Sequence, residues 1–289
     1  MRQAVSGAFR QKDHTQFKAL MDDFLATARG EDYCRALCLQ ADWLLYTDLR
    51  HAVQGFLLVD EALEHAKNPA TKQGILTTGL GLCCVLNDLK RAERYEEEAC
   101  RLLFEHATDP EVRANRHRLQ LNLGQVAYLR GDDATAYWHL AQAAESLNDP
   151  AVPEAERKGF ASPIQFNIAT ACLRVRRYYE AQEALDLALQ TAINDAQRLR
   201  AKVWYAELLR QLGRIEEVQH ALKSMENDVA TCSNPDVRSR YNLCAALTAQ
   251  DLGDLPRFHE LFAKARDEAS EHQLDFLLCE IQRIQRSPI

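Results

Sequence analysis

Small and apolar residues recur along this chain at intervals of three and four, the period of a helix that buries one face. The stretch LGQVAYLRGDDATAYWHLAQAA, residues 123–144, carries the pattern most clearly. Leu123-Gly124 and Ala127 stand before Gly131, and Ala136, Leu140 and Ala143 stand after it. This spacing predicts a helix, a tight turn at Gly131, and a second helix with an Ala-Leu-Ala inner face. The frame also fits Ile168-Ala169, Cys172, Ala181, Leu185 and Ala188, then Tyr205-Ala206, Leu209, Val218, Leu222 and Met225. It fits again at Ala245-Ala246, Ala249, Phe258, Phe262 and Ala265. Upstream it takes Leu80, Cys83, Leu89, Ala92 and Ala99, then Trp43, Leu49, Ala52, Phe56 and Val59. A degenerate first unit uses Ala8, Phe17, Met21 and Phe24.

The turn slot falls at Lys12, Thr47, Asn87, Gly131, Arg176, Gly213 and Gly253, at intervals of 35 to 45 residues. Seven helix pairs follow, and EHQLDFLLCEIQRI (271–284) supplies a final amphipathic helix to cap the open end. Each pair has two apolar faces and cannot bury both alone, so stacking closes the core. Asn68-Pro69, Asp109-Pro110, Ser162-Pro163 and Asn234-Pro235 each set a capping residue before a proline suited to the first helical position. Residues 148–162, NDPAVPEAERKGFAS, read as an irregular connector with at most a helical turn, inside one domain spanning 1–289.

The helix pair with small crossing residues, a glycine turn and Ala-bulky-Ala resembles the tetratricopeptide repeat. Its long, irregular units are similar to the TPR-like domains of bacterial regulators, such as the maltose-operon activator's effector domain and the peptide-pheromone receptors. The resemblance implies an all-α fold, a right-handed α-α superhelix. It also implies a concave groove lined by the first helices, where an extended peptide or short helix is held.

Composition narrows the function. The chain has 47% hydrophobic residues and few Gly (11) or Pro (8), which favours helix. A net charge of −7 argues against a general nucleic-acid partner, since phosphate backbones need a concentrated basic face. The run ILTTGLGLCCVL falls short of the roughly 18 apolar residues of a membrane span, and MRQAVSGAFRQKD lacks a hydrophobic signal core. A cytoplasmic protein is expected. The nine cysteines stand mostly in helical pattern; Cys83, Cys84, Cys172, Cys244 and Cys279 read as small core residues. Cys34 and Cys38 lie one turn apart without a second ligand pair, so no metal is assigned. No phosphate loop, nucleophile elbow or HExxH is present, so neither catalytic residues nor a cofactor are assigned. Trp138 reads as packing between units, and Glu96-Glu97-Glu98 as a solvated face.

Counting back thirteen residues from the turn glycines gives Arg118, Arg200 and Arg240; counting back fifteen gives Arg116, Arg198 and Arg238. Residues two apart on a helix point in different directions, so at most one of each pair can face the groove. The inner arginines are the groove candidates, with pairing to acids of neighbouring units as the competing assignment. Asn122 and Asn167 share a slot one turn further on, where an amide can donate to and accept from a peptide backbone. Gln125, Tyr128, Trp204, Glu207, Arg210 and Gln250 complete the candidate set. The carboxylate clamp of chaperone-binding TPR proteins uses a Lys/Asn/Asn/Lys/Arg set; the asparagines match in part and the lysines are absent. Arginine forks match carboxylates, so an acidic segment or a free C-terminus is the expected partner. The expected function is a non-enzymatic peptide-binding module or scaffold. The alternative is a regulatory domain that senses a ligand or signal peptide by conformational change or dimerisation.

Overall fold

The computed structural model describes residues 14–47, 52–272 and 274–286. Among them are fourteen α-helices and no strand. These are α1 (His14–Thr27), α2 (Glu31–Thr47), α3 (Ala52–His65), α4 (Pro69–Leu86), α5 (Leu89–Glu105), α6 (Pro110–Arg130) and α7 (Asp133–Ser146). They continue as α8 (Glu154–Arg174), α9 (Tyr178–Thr191), α10 (Asp195–Gln211), α11 (Ile215–Thr231), α12 (Pro235–Asp251), α13 (Leu255–Glu271) and α14 (Asp275–Arg286). The even-numbered helices from α2 to α12 are the first helices of the repeats, and the odd-numbered ones are the second helices.

The predicted turn slots sit where the backbone turns left-handed. Asn87 (φ 50°), Gly131 (82°), Arg176 (59°), Gly213 (72°) and Gly253 (76°) all have positive φ. The residue after each donates its N–H five residues back, as from Asp132 to Ala127 and from Asp254 to Ala249, and so satisfies a terminal helix carbonyl. That residue then starts the next helix. The carboxylates of Asp88, Asp132 and Asp254 accept the N–H three residues on. Arg177 and Arg214 take the slot in two units and pair instead with Glu180 and Glu217. A Gly-Asp dipeptide therefore ends one helix and opens another. Lys12 lies outside the described residues, as do Ala8 and residues 48–51, Leu49 among them.

The asparagine and aspartate caps form at Asn68, Asp109 and Asn234, each accepting from the first helical turn. Ser162 does not cap. Helix α8 begins at Glu154, behind Pro153, and runs through Pro163. The irregular connector is thus short, and most of 148–162 is helical. Proline within a helix removes one N–H and presses on the carbonyl four residues back. Here that carbonyl belongs to Gly159, whose backbone has the freedom to yield. The Asn167 side chain also bonds the Pro163 carbonyl at 2.7 Å.

Packing divides the chain into two compact units: 1–126 with 149–151, and 127–148 with 152–289. In the first, Phe17, Met21 and Phe24 are buried, and the Trp43 ring stacks on Phe17 at 3.9 Å. Gly79 lets α4 approach its neighbours: a Cβ there would lie 2.9 Å from the Tyr95 ring and 3.1 Å from Val59. In the second unit the predicted inner faces form the core, with Ala181, Leu185, Val218, Leu222, Phe262 and Ala265 all buried. Leu277 and Ile281 of α14, with Leu274 just before it, join the last of these clusters, so this helix covers the end of the stack. Trp138 does not pack between units as expected; it is 54% exposed, with its ring edge against His139. The helix frame turns its slot outward.

Candidate functional site

In the second unit, α10 and α12 bring three of the candidate residues, Arg200, Trp204 and Arg240, together with Asp236. Arg200 and Trp204 lie four apart on α10, and Asp236 and Arg240 four apart on α12, so each pair shares a face. Arg200 reaches across to Asp236 at 3.1 Å. Arg240 bonds the same carboxylate through Nε at 3.1 Å and the Glu280 carboxylate of α14 through its other arm at 3.1 Å. Its guanidinium lies over the Trp204 ring, 4.8 Å from the centroid. Arg200 sits over Phe166 at 5.4 Å, and Phe166 meets Trp204 edge to face. The cluster holds two guanidinium groups, two carboxylates and two aromatic rings, and is close to neutral.

Burial shapes its electrostatics. The Arg240 side chain is only 10% exposed. Desolvation opposes its charge, and Glu280 and then Asp236 outweigh that and hold the guanidinium above its ordinary value. Tyr128, from the end of α6, faces the same group. Withdrawal from water and then the Glu280 carboxylate push its hydroxyl up to about 12, against the pull of Arg240 and Arg174. Arg174 covers the Tyr128 ring at 4.2 Å, bonds its backbone carbonyl at 2.7 Å and pairs with Asp133 at 3.1 Å. Trp204 is 8% exposed, and its indole N–H is buried with no hydrogen-bond acceptor among the described residues. That is an unmatched donor beside a guanidinium.

The remaining candidates are placed apart from this group. Glu207 and Arg210 form a two-pronged pair at 2.8 Å, extended by Asp251 at 2.9 Å. Gln250 is half-buried on α12. Asn167 spends its amide on its own helix, at the Pro163 carbonyl. Arg118, Asn122 and Gln125 belong to the first unit. There the Asn122 amide donates to the Thr77 carbonyl at 2.6 Å, so this group also serves the protein's own backbone. The Arg118 charge acts on Asp42 of α2, whose carboxyl burial pushes up to about 6 against a hydrogen bond from Thr78 and that charge. The outer arginines turn elsewhere, as two-residue spacing requires: Arg198 pairs with Asp195, and Arg238 with Glu268.

Sequence reasoning missed Asp236, Glu280, Phe166, Arg174 and Asp42. Two signals were available. Arg200, Arg240 and Glu280 stand at equal intervals of forty, so continuing the repeat frame into the last helix finds Glu280 in the arginine slot. The acid four residues before Arg240 is a second.

These helix pairs, with their positive-φ turns and small inner residues, define a tetratricopeptide-like α-helical repeat protein. Two solved structures share the fold. A Rap protein in complex with competence and sporulation factor superposes with a TM-score of 0.66 at 14% identity, covering 92% of this chain and 80% of its own. RapI in its apo form gives 0.60 at 13% identity, covering 92% and 96%. No family model and no curated protein matches the chain. Among the described residues, no helix is long and apolar enough to cross a membrane.

Proposed function

We propose that this chain is a non-enzymatic interaction module whose first-helix face holds a peptide or partner segment. In the second unit, Arg240, Trp204, Tyr128 and Arg200 form the contact for a carboxylate of that segment. The observation that carries the reading is Arg240 held over Trp204, with an unmatched indole donor beside it. Arginine on an aromatic ring presents a rigid fork for an acid. The fold likeness to a Rap protein solved with competence and sporulation factor supports it. On this reading the protein works in the cytoplasm, without cofactor, nucleic acid or membrane, as a continuous repeat domain. The ligand is an acidic segment or one with a free C-terminus, and the output passes through a partner or a second copy.

Calorimetric titration of short Glu-rich peptides against the wild type tests this, with their Gln counterparts as controls. Arg240→Glu is expected to abolish binding, and Arg118→Glu tests whether the first unit contributes. Arg240→Gln, which removes the charge without reversing it, is the fallback if Arg240→Glu unfolds. Unchanged affinity in Arg240→Gln would sink the assignment.

A further inference from the structure

The acid now on Arg240 comes from the last helix of the chain. We propose that Glu280 is an internal stand-in for a ligand carboxylate, and that α14 is a latch which an incoming acidic segment displaces. This rests on the carboxylate-binding reading given above and adds its regulation.

Three observations carry it. First, the two acids on Arg240 differ in kind. Asp236 stands four residues away on the same helix and is fixed with it; Glu280 arrives from a separate twelve-residue helix. Second, α14 turns its polar side toward the start of the unit. Its Glu280 acts on Tyr128 of α6, and Arg283 acts on Asp133 at the start of α7. Its apolar side, Leu277 and Ile281, packs on the end of the stack. The helix therefore both caps the core and covers the arginine site. Third, the charge count depends on it. Arg200, a third exposed, and Arg240, 10% exposed, share Asp236, so removing Glu280 takes from the more buried guanidinium the one acid it does not share with Arg200.

Taking an acid from a buried guanidinium is unfavourable, so the latch opens readily only when another acid takes its place. Binding and opening are then coupled, since a ligand shifts a two-state element by its differential affinity for the two states. A carboxylate on Arg240 also lies within the same aromatic group as the unmatched Trp204 N–H, a donor that Glu280 leaves unused. The ligand class this selects is a segment with a side-chain or terminal carboxylate followed by a hydrogen-bond acceptor.

Hydrogen exchange and Trp204 fluorescence on the full chain test the latch. In Glu280→Gln without ligand, the amides of α14 are expected to exchange faster than in the wild type. Glu-rich peptides should bind this variant about tenfold tighter, because the closed fraction no longer reduces the apparent affinity. In the wild type, adding the peptide should speed exchange in α14 and change Trp204 emission as Arg240 changes partner. Glu280→Asp, which keeps the charge with a shorter reach, is expected to fall between the two and serves if Glu280→Gln unfolds. Peptide binding that requires Arg240 but leaves α14 exchange unchanged, with equal affinity in Glu280→Gln, overturns the latch and leaves the groove reading standing. No binding to either protein overturns both.

Discussion

Asp42 offers a quantitative test of the electrostatics on the first unit's first-helix face. Its carboxyl is held by a hydrogen bond from Thr78 and the Arg118 charge, yet burial dominates and moves it from the ordinary 3.8 to about 6. The neighbouring Cys38 thiol is pushed up by the same burial and by the Asp42 charge. A carboxyl that is harder to ionise in the native state than in the unfolded chain makes the native state bind the extra proton. Stability then falls as pH rises between about 4 and 6 and levels off above. At ~1.4 kcal/mol per tenfold change in proton affinity, the full cost at neutral pH is about 3 kcal/mol, an upper figure because α2 retains some contact with water. Asp42→Asn keeps the shape and a Thr78 partner and removes the cost. Urea denaturation at pH 5, 6, 7 and 8 is the assay. The variant should exceed the wild type at every point, with a margin that grows by about 1 kcal/mol from pH 5 to 6, by a few tenths more to pH 7, and is then flat. Arg118→Gln should move the wild-type profile the other way, lowering stability at pH 7 and extending the slope to higher pH. A margin independent of pH, or a destabilised Asp42→Asn at pH 7, would refute the reasoning.

Two further substitutions probe the fold. Gly79→Ala sets a methyl against the Tyr95 ring and Val59 and should cost about 1–3 kcal/mol in urea denaturation, as overpacked cores do. A loss below half a kilocalorie would mean that the three helices separate easily. Arg176→Gly relieves a left-handed, non-glycine backbone and should stabilise by about 0.5–1 kcal/mol, after glycine's own entropy cost. A fall in melting temperature would show instead that the arginine side chain earns its strained position.

The repeat was legible because its signals are local. Ala136, Leu140 and Ala143, or Ala181, Leu185 and Ala188, share one helix face, and a helix buries a face through spacing alone. Gly131, Gly213 and Gly253 mark the turns because their backbone angles suit glycine, and Asp132 or Asp254 follows because a short acid caps the next helix. The same logic misplaced a helix start at Ser162-Pro163. A capping residue before proline is a good local signal, but flanking sequence from Glu154 onward favours helix, and Gly159 lets it pass through. Trp138 was misjudged because a large aromatic side chain suggests burial whichever way its slot points.

The candidate site was half legible. The register of Arg118, Arg200 and Arg240 follows from the turns, and those positions do lie on first helices facing other first helices. Their partners do not follow. The amides of Asn122 and Asn167 bond the chain's own carbonyls, and Arg240 meets Glu280 only because α14 folds back over α12. The sequence by itself determined the helices, their turns, their buried faces and the slot of each arginine, since these depend on residues within about one turn of one another. The tertiary structure alone decided which acid neutralises which arginine, which ring lies beneath it and how far each charge is withdrawn from water. Those quantities depend on distances between helices tens of residues apart, and electrostatic energy in a buried setting turns on such distances and on solvent access.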